Sequence, residues 1–512
     1  MINLAAMAEG FTIRNPNSPA LIDPFSGTTR TFGELSRRTG QLSAALFDVL
    51  GVRPGTRVAA MSRNSLEMVE LYLACARTGA LMFPLNWRFS AEQVTQALRD
   101  ATPTVVFYES EFADVIAKVR DQVGATWIEW ETAKDTEYED LLARVAGRAD
   151  DIRLALPDPA TLVNQPYLAV STGGTTGIPK SAVHTQYSYG AATLNYLAAA
   201  RIAETDVYLM LGQFFHVIGY MTLAYLLYGR PVVITNFESD SMLSLIRQEK
   251  ISGFMAIATM LPRLVAAFER DPGPTPSVRL VEYGGAPMGA DTIRAAGEAF
   301  QADLLQAWGM SEFGPGAYLL PAAHRRALSG AQPDLLRSCG STCILSELAV
   351  LDHHGVPVPR DGKTMGELCH RGPNNIIGYW NKPEETAELI RDGWVHSGDG
   401  ATWDEDGFFY IVDRIKSMII SGGENIFPSE VERCLIDHPE IAEVVVVGSP
   451  DDHWGEVVKA VVVRMPGSQL TEEQVTSYVA ERLASYKKPR VVKFMDELPM
   501  TPTGKVNRKL LA

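Results

Sequence analysis

The stretch Ser171-Thr172-Gly173-Gly174-Thr175-Thr176-Gly177-Ile178-Pro179-Lys180 decides how the rest of this chain is read. Three glycines, four hydroxyl side chains and one lysine fall within ten residues. A loop that wraps a polyphosphate needs bare backbone N–H groups, hydroxyl donors and one mobile cation, and this loop has all three. The apolar run Tyr167–Val170 directly before it predicts a buried strand, so the loop is expected to leave a sheet edge. A mononucleotide P-loop sets its lysine immediately after the last glycine, whereas here Ile178 and Pro179 separate Gly177 from Lys180. By composition alone the stretch also fits a plain turn.

The bulk properties narrow the choice. At 512 residues the chain exceeds one ordinary core, so at least two domains are expected. Apolar residues at 46% and charged residues at 21% describe a globular protein rather than a disordered one. The formal net charge of −15 excludes a general nucleic-acid binder, which needs a basic face. It also requires local cations and loop N–H groups to hold any anionic ligand. Cys75, Cys339, Cys343, Cys369 and Cys434 are scattered, and no second Cys or His pair accompanies Cys339 and Cys343. Buried thiols in a reducing compartment are therefore expected, not a metal site. The N-terminal residues lack a cationic region, so no secretory leader is expected. The longest apolar run, 217–228, falls short of the ~20 residues of a membrane span, and a cytoplasmic protein is expected.

From about residue 30 to 265, helical patterns alternate with short apolar strands. Leu66–Arg77 predicts a helix, while Ala80–Leu85, Val105–Tyr108 and Val232–Ile234 predict strands, an alternation typical of layered α/β structure with largely parallel sheets. The C-terminal part reads differently. A short helix is expected over 429–437, with Ser429 and Glu432 spaced as a capping box. Strands are expected at 444–447 and 457–463 around the turn-rich Gly448-Ser449-Pro450-Asp451-Asp452. Thr471 and Gln474 form a second capping-box pattern, with Val475, Val479 and Leu483 on one helix face, and 490–495 closes as a strand.

With these motifs in order along nearly the whole chain, the sequence resembles the adenylate-forming superfamily of acyl-CoA synthetases, firefly-type luciferases and peptide-synthetase adenylation domains. It is most similar to the AMP-forming acyl-CoA synthetases. The family's phosphate loop usually ends Gly-x-Pro-Lys-Gly; here Ser181 replaces the last glycine and Gly173 replaces a common hydroxyl residue. The resemblance implies a large N-terminal α/β domain of layered sheets and helices (residues 1–413) and a hinge at 414–416 centred on Lys416. A small mobile α+β domain (417–512) follows.

The resemblance also implies roles for particular residues. Ser171, Thr172, Gly174, Thr175, Thr176, Gly177 and Lys180 would hold phosphates. Gly284, Gly285, Ala286 and Pro287 would line the adenine and acyl pocket. In Trp308-Gly309-Met310-Ser311-Glu312, the aromatic would flank the nucleotide, Ser311 would meet its α-phosphate and Glu312 would help hold Mg²⁺. One carboxylate suits an ion carried mostly by phosphate oxygens and water. Asp399, by itself a turn-capping acid, would receive the ribose hydroxyls, with Arg414 on the ribose or phosphate. Lys505, in Pro502-Thr503-Gly504-Lys505, would be the catalytic lysine. His216 lies among apolar residues, where a core histidine is usual, and the resemblance would place it against the substrate carboxylate. Ser421, Gly422, Gly423 and Trp454 would form the coenzyme A face, although Trp454 also suits plain packing.

The implied reaction is ATP-dependent activation of a fatty or aryl acid to acyl-AMP, followed by transfer to coenzyme A. ATP, Mg²⁺, coenzyme A and a small carboxylic acid are the implied ligands. A free-standing ligase loading a carrier-protein thiol and a non-catalytic nucleotide-binding relative are the alternatives. Oligomeric state stays open, a homodimer among the options.

Overall fold

The computed structural model describes residues 4, 15–148, 156–172, 180–499 and 506–512. Contacts divide the chain into two units, Met1–Leu348 with His370–Val395, and Ala349–Cys369 with His396–Ala512. The architecture is mixed α/β, with a large N-terminal part and a smaller C-terminal part, as the sequence implies. Grouping by contact draws 349–369 and 396–413 to the C-terminal residues, in part because 399–403 pairs antiparallel with Phe409–Arg414. A swivel point is a separate property, and the hinge at 414–416 is taken up below as a proposal.

The first unit is built on two sheets. One runs, strand by neighbouring strand, through Ser341–Thr342, Gly314–Leu319, Asp303–Met310, Leu280–Gly284, Gly253–Ile257, Tyr208–Met210, Val232–Ile234, Pro19–Asp23 and Thr28–Thr31. The other runs through Gly378–Tyr379, Ser181–Thr185, Pro166–Ser171, Leu81–Leu85, Arg57–Met61, Val105–Glu109 and Thr126–Trp130. One apolar core joins residues of both sheets, among them Met82, Val170, Tyr208 and Met255, to the helices Leu66–Thr78, Gln186–Ala200 and Tyr220–Leu227. All thirteen residues of Leu66–Thr78 are buried, so this helix packs on every side rather than through one stripe. It starts where Ser65 accepts the Met68 N–H and stops at Gly79, whose φ of 75° ends it in the left-handed region.

The buried strand expected before the glycine-rich loop forms, and only its place in the sheet needs correcting. The strand spans Pro166–Ser171, and it lies inside the sheet, between Ser181–Thr185 and Leu81–Leu85, not at an edge. The chain returns after the loop to pair antiparallel, with Ser171 opposite Ser181, so the loop links two neighbouring strands.

In the second unit, Ile441–Asp451 and Gly455–Arg464 form a long antiparallel pair flanked by Ile419–Ser421 and Val491–Met495. Both strands outrun their expected bounds. The Asp451 carboxylate accepts the N–H groups of His453 and Trp454, each at 2.9 Å, so the turn forms one residue after it. Gly448-Ser449-Pro450 therefore continues the strand, with Pro450 opposite Glu456.

The Ser429 capping box does not form. The helix is Pro428–Ile436 with Pro428 at its first position, where a fixed φ and a missing N–H cost nothing. Ser429 instead donates its hydroxyl to the Val412 carbonyl at 2.5 Å, and Glu432 accepts the Val446 N–H at 2.7 Å. The Thr471 box does form, its hydroxyl accepting from Gln474 N–H while Gln474 accepts the Thr471 N–H at 2.8 Å. Val475 and Val479 are buried on that helix, and Leu483 packs on the same core just beyond its end.

No helix among the described residues is long and apolar enough to cross a membrane. None of the five cysteines forms a disulfide, and all but Cys434 are buried. Replacing Thr471 with Ala is expected to lower unfolding free energy by about 1 kcal/mol in urea titration, since the Gln474 N–H loses its side-chain acceptor. An unchanged midpoint would show that the box contributes nothing.

Candidate functional site

Within the first unit, three elements converge on the turn between Asp303–Met310 and Gly314–Leu319, which carries Ser311, Glu312 and Phe313. Glu312 is 5% exposed, and its Oε1 accepts the Tyr379 hydroxyl at 2.6 Å. The Lys180 ammonium lies 5.0 Å from the centre of the Tyr379 ring, a cation–π contact. Burial, with the Glu312 charge beside it, holds the Tyr379 phenol well above its usual range, so it stays a proton donor. One tyrosine thus ties the expected phosphate lysine to the expected metal acid. Tyr379 reaches them because Gly378–Tyr379 pairs antiparallel with Ser181–Thr185.

The backbone of the same turn is held from two sides. Buried His184 bonds to the Ser311 carbonyl through Nε2 at 2.7 Å, and Asn374 donates to the carbonyls of Phe313 and Pro315 at 2.7 and 3.0 Å. Burial pushes the His184 imidazole down to about 4, so it is neutral at pH 7 and donates from Nε2. Close packing demands glycine at Gly309, where an added Cβ would sit 1.9 Å from the Gly314 carbonyl oxygen. At Gly284 it would sit 2.4 Å from the Ala307 carbonyl oxygen. Trp308 and Gly309 lie at the strand's end beside a register shift, and Gly284 leads into the exposed Gly285-Ala286-Pro287, where Gly285 has φ 79°. His216 is half-buried, precedes the short helix Val217–Gly219, and packs its ring 4.5 Å from that of Phe215.

Ser171 ends the strand before the loop, and Thr172 follows it with its N–H donating to the Lys180 carbonyl at 2.7 Å. Gly174, Thr175, Thr176 and Gly177, like Lys505, lie outside the described residues.

Within the second unit, Asp399 is 5% exposed and faces Arg414 across the strand pair, the guanidinium Nε 2.7 Å from Asp399 Oδ1. Arg414 also donates to the Ser397 carbonyl at 3.0 Å. The turn before Asp399 is clamped by Glu367, which accepts the Gly398 N–H at 2.9 Å and bonds His396 Nδ1 at 2.7 Å. Cys369 adds its sulfur 3.4 Å from the same nitrogen. Lys416 is exposed on the short helical turn Ile415–Ser417.

Gly422 and Gly423, with φ of 60° and 89°, make a two-residue hairpin turn between Ile419–Ser421 and Glu424–Ile426. Positive φ at both positions is what a type I′ turn needs. The turn lies against Trp454, so close that a Cβ on Gly422 would sit 2.4 Å from the indole. Ser421, Gly422, Trp454, Ser485, Lys488 and Arg490 border a cavity of about 250 Å³, and the Arg490 guanidinium rests 4.6 Å from the Trp454 ring centre. Lys488 and Arg490 put two cations on the cavity's lining, and Glu424 adds an acid.

The sequence reading missed Tyr379, His184, Glu367 and Arg490. Tyr379 and His184 act through contacts with residues 67 and 127 positions away in sequence, which no local pattern reveals. The Ser181–Thr185 strand right after the phosphate loop was the one available signal for His184.

The buried Glu312, tied through Tyr379 to Lys180, lies in the first unit, and the Asp399–Arg414 pair lies in the second. The AMP-binding enzyme profile matches residues 11–380, and the AMP-binding enzyme C-terminal domain matches 430–505. The chain belongs to the AMP-binding enzyme family. A feruloyl-CoA synthase of Amycolatopsis sp. is 36% identical over 486 residues, covering 94% of this chain and 93% of that one. A long-chain-fatty-acid–CoA ligase of Mycobacterium tuberculosis is 30% identical and covers 100% of this chain and 98% of its own. Among solved structures, ATP-bound MatB from Rhodopseudomonas palustris superposes with a TM-score of 0.87 at 28% identity, covering 99% of this chain and 98% of that one.

His184 carries a testable pH signature. Its ordinary value is 6.5 and its folded value about 4, so between these the unfolded chain binds more protons and stability falls as pH falls. A shift of that size corresponds to about 3 kcal/mol. Between pH 7 and 4 the wild type is expected to lose about that much more stability than His184→Gln in urea titrations, and parallel curves would refute it.

Proposed function

We propose that this chain is an ATP-dependent carboxylate–CoA ligase acting on an aryl or fatty acid. The acid attacks the α-phosphate of ATP to give acyl-AMP and pyrophosphate; the coenzyme A thiolate then displaces AMP to give the thioester. The observation that carries this reading is the Lys180–Tyr379–Glu312 constellation, a cation and an acid fixed beside the phosphate-loop strand. The relatives' names support the acid–thiol ligase class, and include feruloyl-CoA synthase, indoleacetate–CoA ligase and long-chain-fatty-acid–CoA ligase.

In this reading the loop 171–180 and Lys180 bind the phosphates, Trp308 and Gly284–Pro287 border the adenine, and Asp399 with Arg414 takes the ribose. Ser311 meets the α-phosphate, His216 faces the substrate carboxylate, and Lys505 stabilises charge on the attacking and bridging oxygens. Glu312 would hold Mg²⁺, and its donor set suits that ion: one carboxylate fixed by a neutral phenol, leaving phosphate oxygens and water as the other ligands. When bound, Mg²⁺ supplies neutralisation of the phosphate charge. Ser421, Gly422, Gly423 and Trp454 receive coenzyme A, whose phosphates suit Lys488 and Arg490 at the cavity rim. A cytoplasmic location, where ATP and coenzyme A are available, belongs to the same proposal.

A relative named fatty acid–[acyl-carrier-protein] ligase, 31% identical, keeps the carrier alternative in play. The deciding experiment is pyrophosphate release across aryl and aliphatic acids, with thioester detected by mass spectrometry using coenzyme A or a purified carrier. Pyrophosphate from no acid would overturn the ligase reading, and transfer to carrier alone would replace the acceptor.

Glu312→Gln is expected to raise the Mg²⁺ concentration needed for half-maximal adenylation, because the ion loses a charged ligand. An unchanged Mg²⁺ titration would remove Glu312 from the metal.

The C-terminal residues provide the second test. Lys505 and the Ser421–Gly423 turn serve different half-reactions in this proposal, with torsions near Lys416 changing between them. Lys505→Ala should abolish acyl-AMP formation yet still convert supplied acyl-AMP and coenzyme A to thioester. Lys416→Pro, which locks φ, should make acyl-AMP but pass little of it on. Equal loss of both half-reactions in each folded variant would sink the two-state scheme.

A further inference from the structure

Glu367 and Cys369 stand two apart on the strand Gly366–Arg371, so their side chains leave the same face of the sheet. The neighbouring strand Trp394–Trp403 sets His396 beside them. The His396 Nδ1 is 2.7 Å from Glu367 Oε2 and 3.4 Å from the Cys369 sulfur, and the three ligand-type atoms all lie within 4.8 Å of one another. A neutral imidazole carries one proton, so Nδ1 cannot donate to the carboxylate and accept from the thiol at once. A cation can take an electron pair from all three together.

The donor types choose the ion. Thiolate, imidazole and carboxylate together suit Zn²⁺, whereas Mg²⁺ takes oxygen ligands. Bond lengths in a tetrahedral zinc site put neighbouring ligand atoms about 3.4–3.6 Å apart. The sulfur–nitrogen distance already has that value, and Glu367 Oε2 has to retreat from Nδ1 by only about 0.7 Å. The other oxygen, Oε1, accepts the Gly398 N–H at 2.9 Å, so a rotation of the carboxylate about Oε1 makes the room and keeps that bond. Cys369 is fully buried, while the side chains of His396 and Glu367 are 13% and 19% exposed. That opening gives the ion a way in and leaves the fourth position to water. On binding, the thiol releases its proton to solvent and the imidazole keeps its own on Nε2.

We propose that Glu367, Cys369 and His396 form a Zn²⁺ site with one position open to water, joined to the turn that carries Asp399 through the Gly398 N–H. It is separate from the Mg²⁺ proposed at Glu312, and its ligands are the same whatever acid the chain activates. The inference therefore stands or falls apart from the ligase reading.

The test titrates the full chain, stripped of metal and held in excess Mg²⁺, with Zn²⁺ against a chromophoric zinc chelator, and repeats the titration with Co²⁺. The wild type is expected to bind one Zn²⁺ per chain despite the Mg²⁺. Co²⁺ should give the near-ultraviolet charge-transfer band of a cobalt–thiolate bond. Cys369→Ala should abolish that band and weaken Zn²⁺ binding about 100-fold or more. If that variant fails to fold by circular dichroism, His396→Gln, whose amide can still donate to Glu367, should weaken Zn²⁺ binding to a similar extent. Cys434→Ala removes a partly exposed thiol outside the cluster and should change neither readout. No Zn²⁺ binding or no cobalt–thiolate band in the wild type, binding unchanged in whichever variant folds, or loss of the band in Cys434→Ala overturns the inference. Pyrophosphate release is untouched by these outcomes and tests the ligase reading separately.

Discussion

The hydrogen bond from the Tyr379 hydroxyl to Glu312 is the constraint on which the first unit's site depends. A carboxylate 5% exposed cannot rely on water for its partners, so it needs a fixed donor. Tyr379 is that donor, and its ring simultaneously seats the Lys180 ammonium. The geometry follows from strand pairing, because Gly378–Tyr379 adds to the edge of the sheet that carries the phosphate-loop strands. The turn bearing Glu312 belongs to the other sheet, so its backbone is pinned by His184 and Asn374 to hold the two sheets in register at this point. Close approach of the Asp303–Met310 and Gly314–Leu319 strands at Gly309 is part of the same arrangement.

The second unit solves a parallel problem differently. Asp399 is buried to the same degree, and its partner is a cation directly across the strand pair. The turn that aims Asp399 is set by Glu367, whose two oxygens bond the Gly398 N–H and His396. Glu367, Cys369 and His396 bring ligand-type atoms within 4.8 Å of one another, and the hydrogen bonds that link them make the group a support for the Asp399 turn. The clamp fixes the orientation of the turn, and with it that of the Asp399 carboxylate.

Much of this was legible in the sequence, and the reasons are local. Three glycines, four hydroxyls and a lysine in ten residues carry their chemistry in their composition, as does the Gly422-Gly423 turn. Thr471 and Gln474 formed the capping box their spacing predicts because Thr471 stands directly before the helix. Ser429 and Glu432 had the same spacing and failed, because Pro428 competes for the first helical position and tertiary acceptors claim the Ser429 hydroxyl. The strand extension through Gly448-Ser449-Pro450 was hidden by turn-forming residues that yield to the Asp451 turn beyond them. Tyr379 and Glu367 could not be read at all. A tyrosine and a glutamate in strands look ordinary until pairing across long separations decides what they touch.

The net charge of −15 leaves the holding of any anion to local cations. ATP and coenzyme A are polyanions, and at physiological salt a charge beyond about 8 Å is largely screened. What such a ligand meets is therefore the local arrangement, not the sum over the chain. Lys180 is held on an aromatic face, Arg414 on Asp399, and Arg490 on the Trp454 ring. Each cation has its position fixed by a partner that leaves it charged, so little side-chain entropy remains to be lost when a phosphate arrives. An acidic protein can bind anions on these terms where local cations are held in place, as Lys180, Arg414 and Arg490 each are.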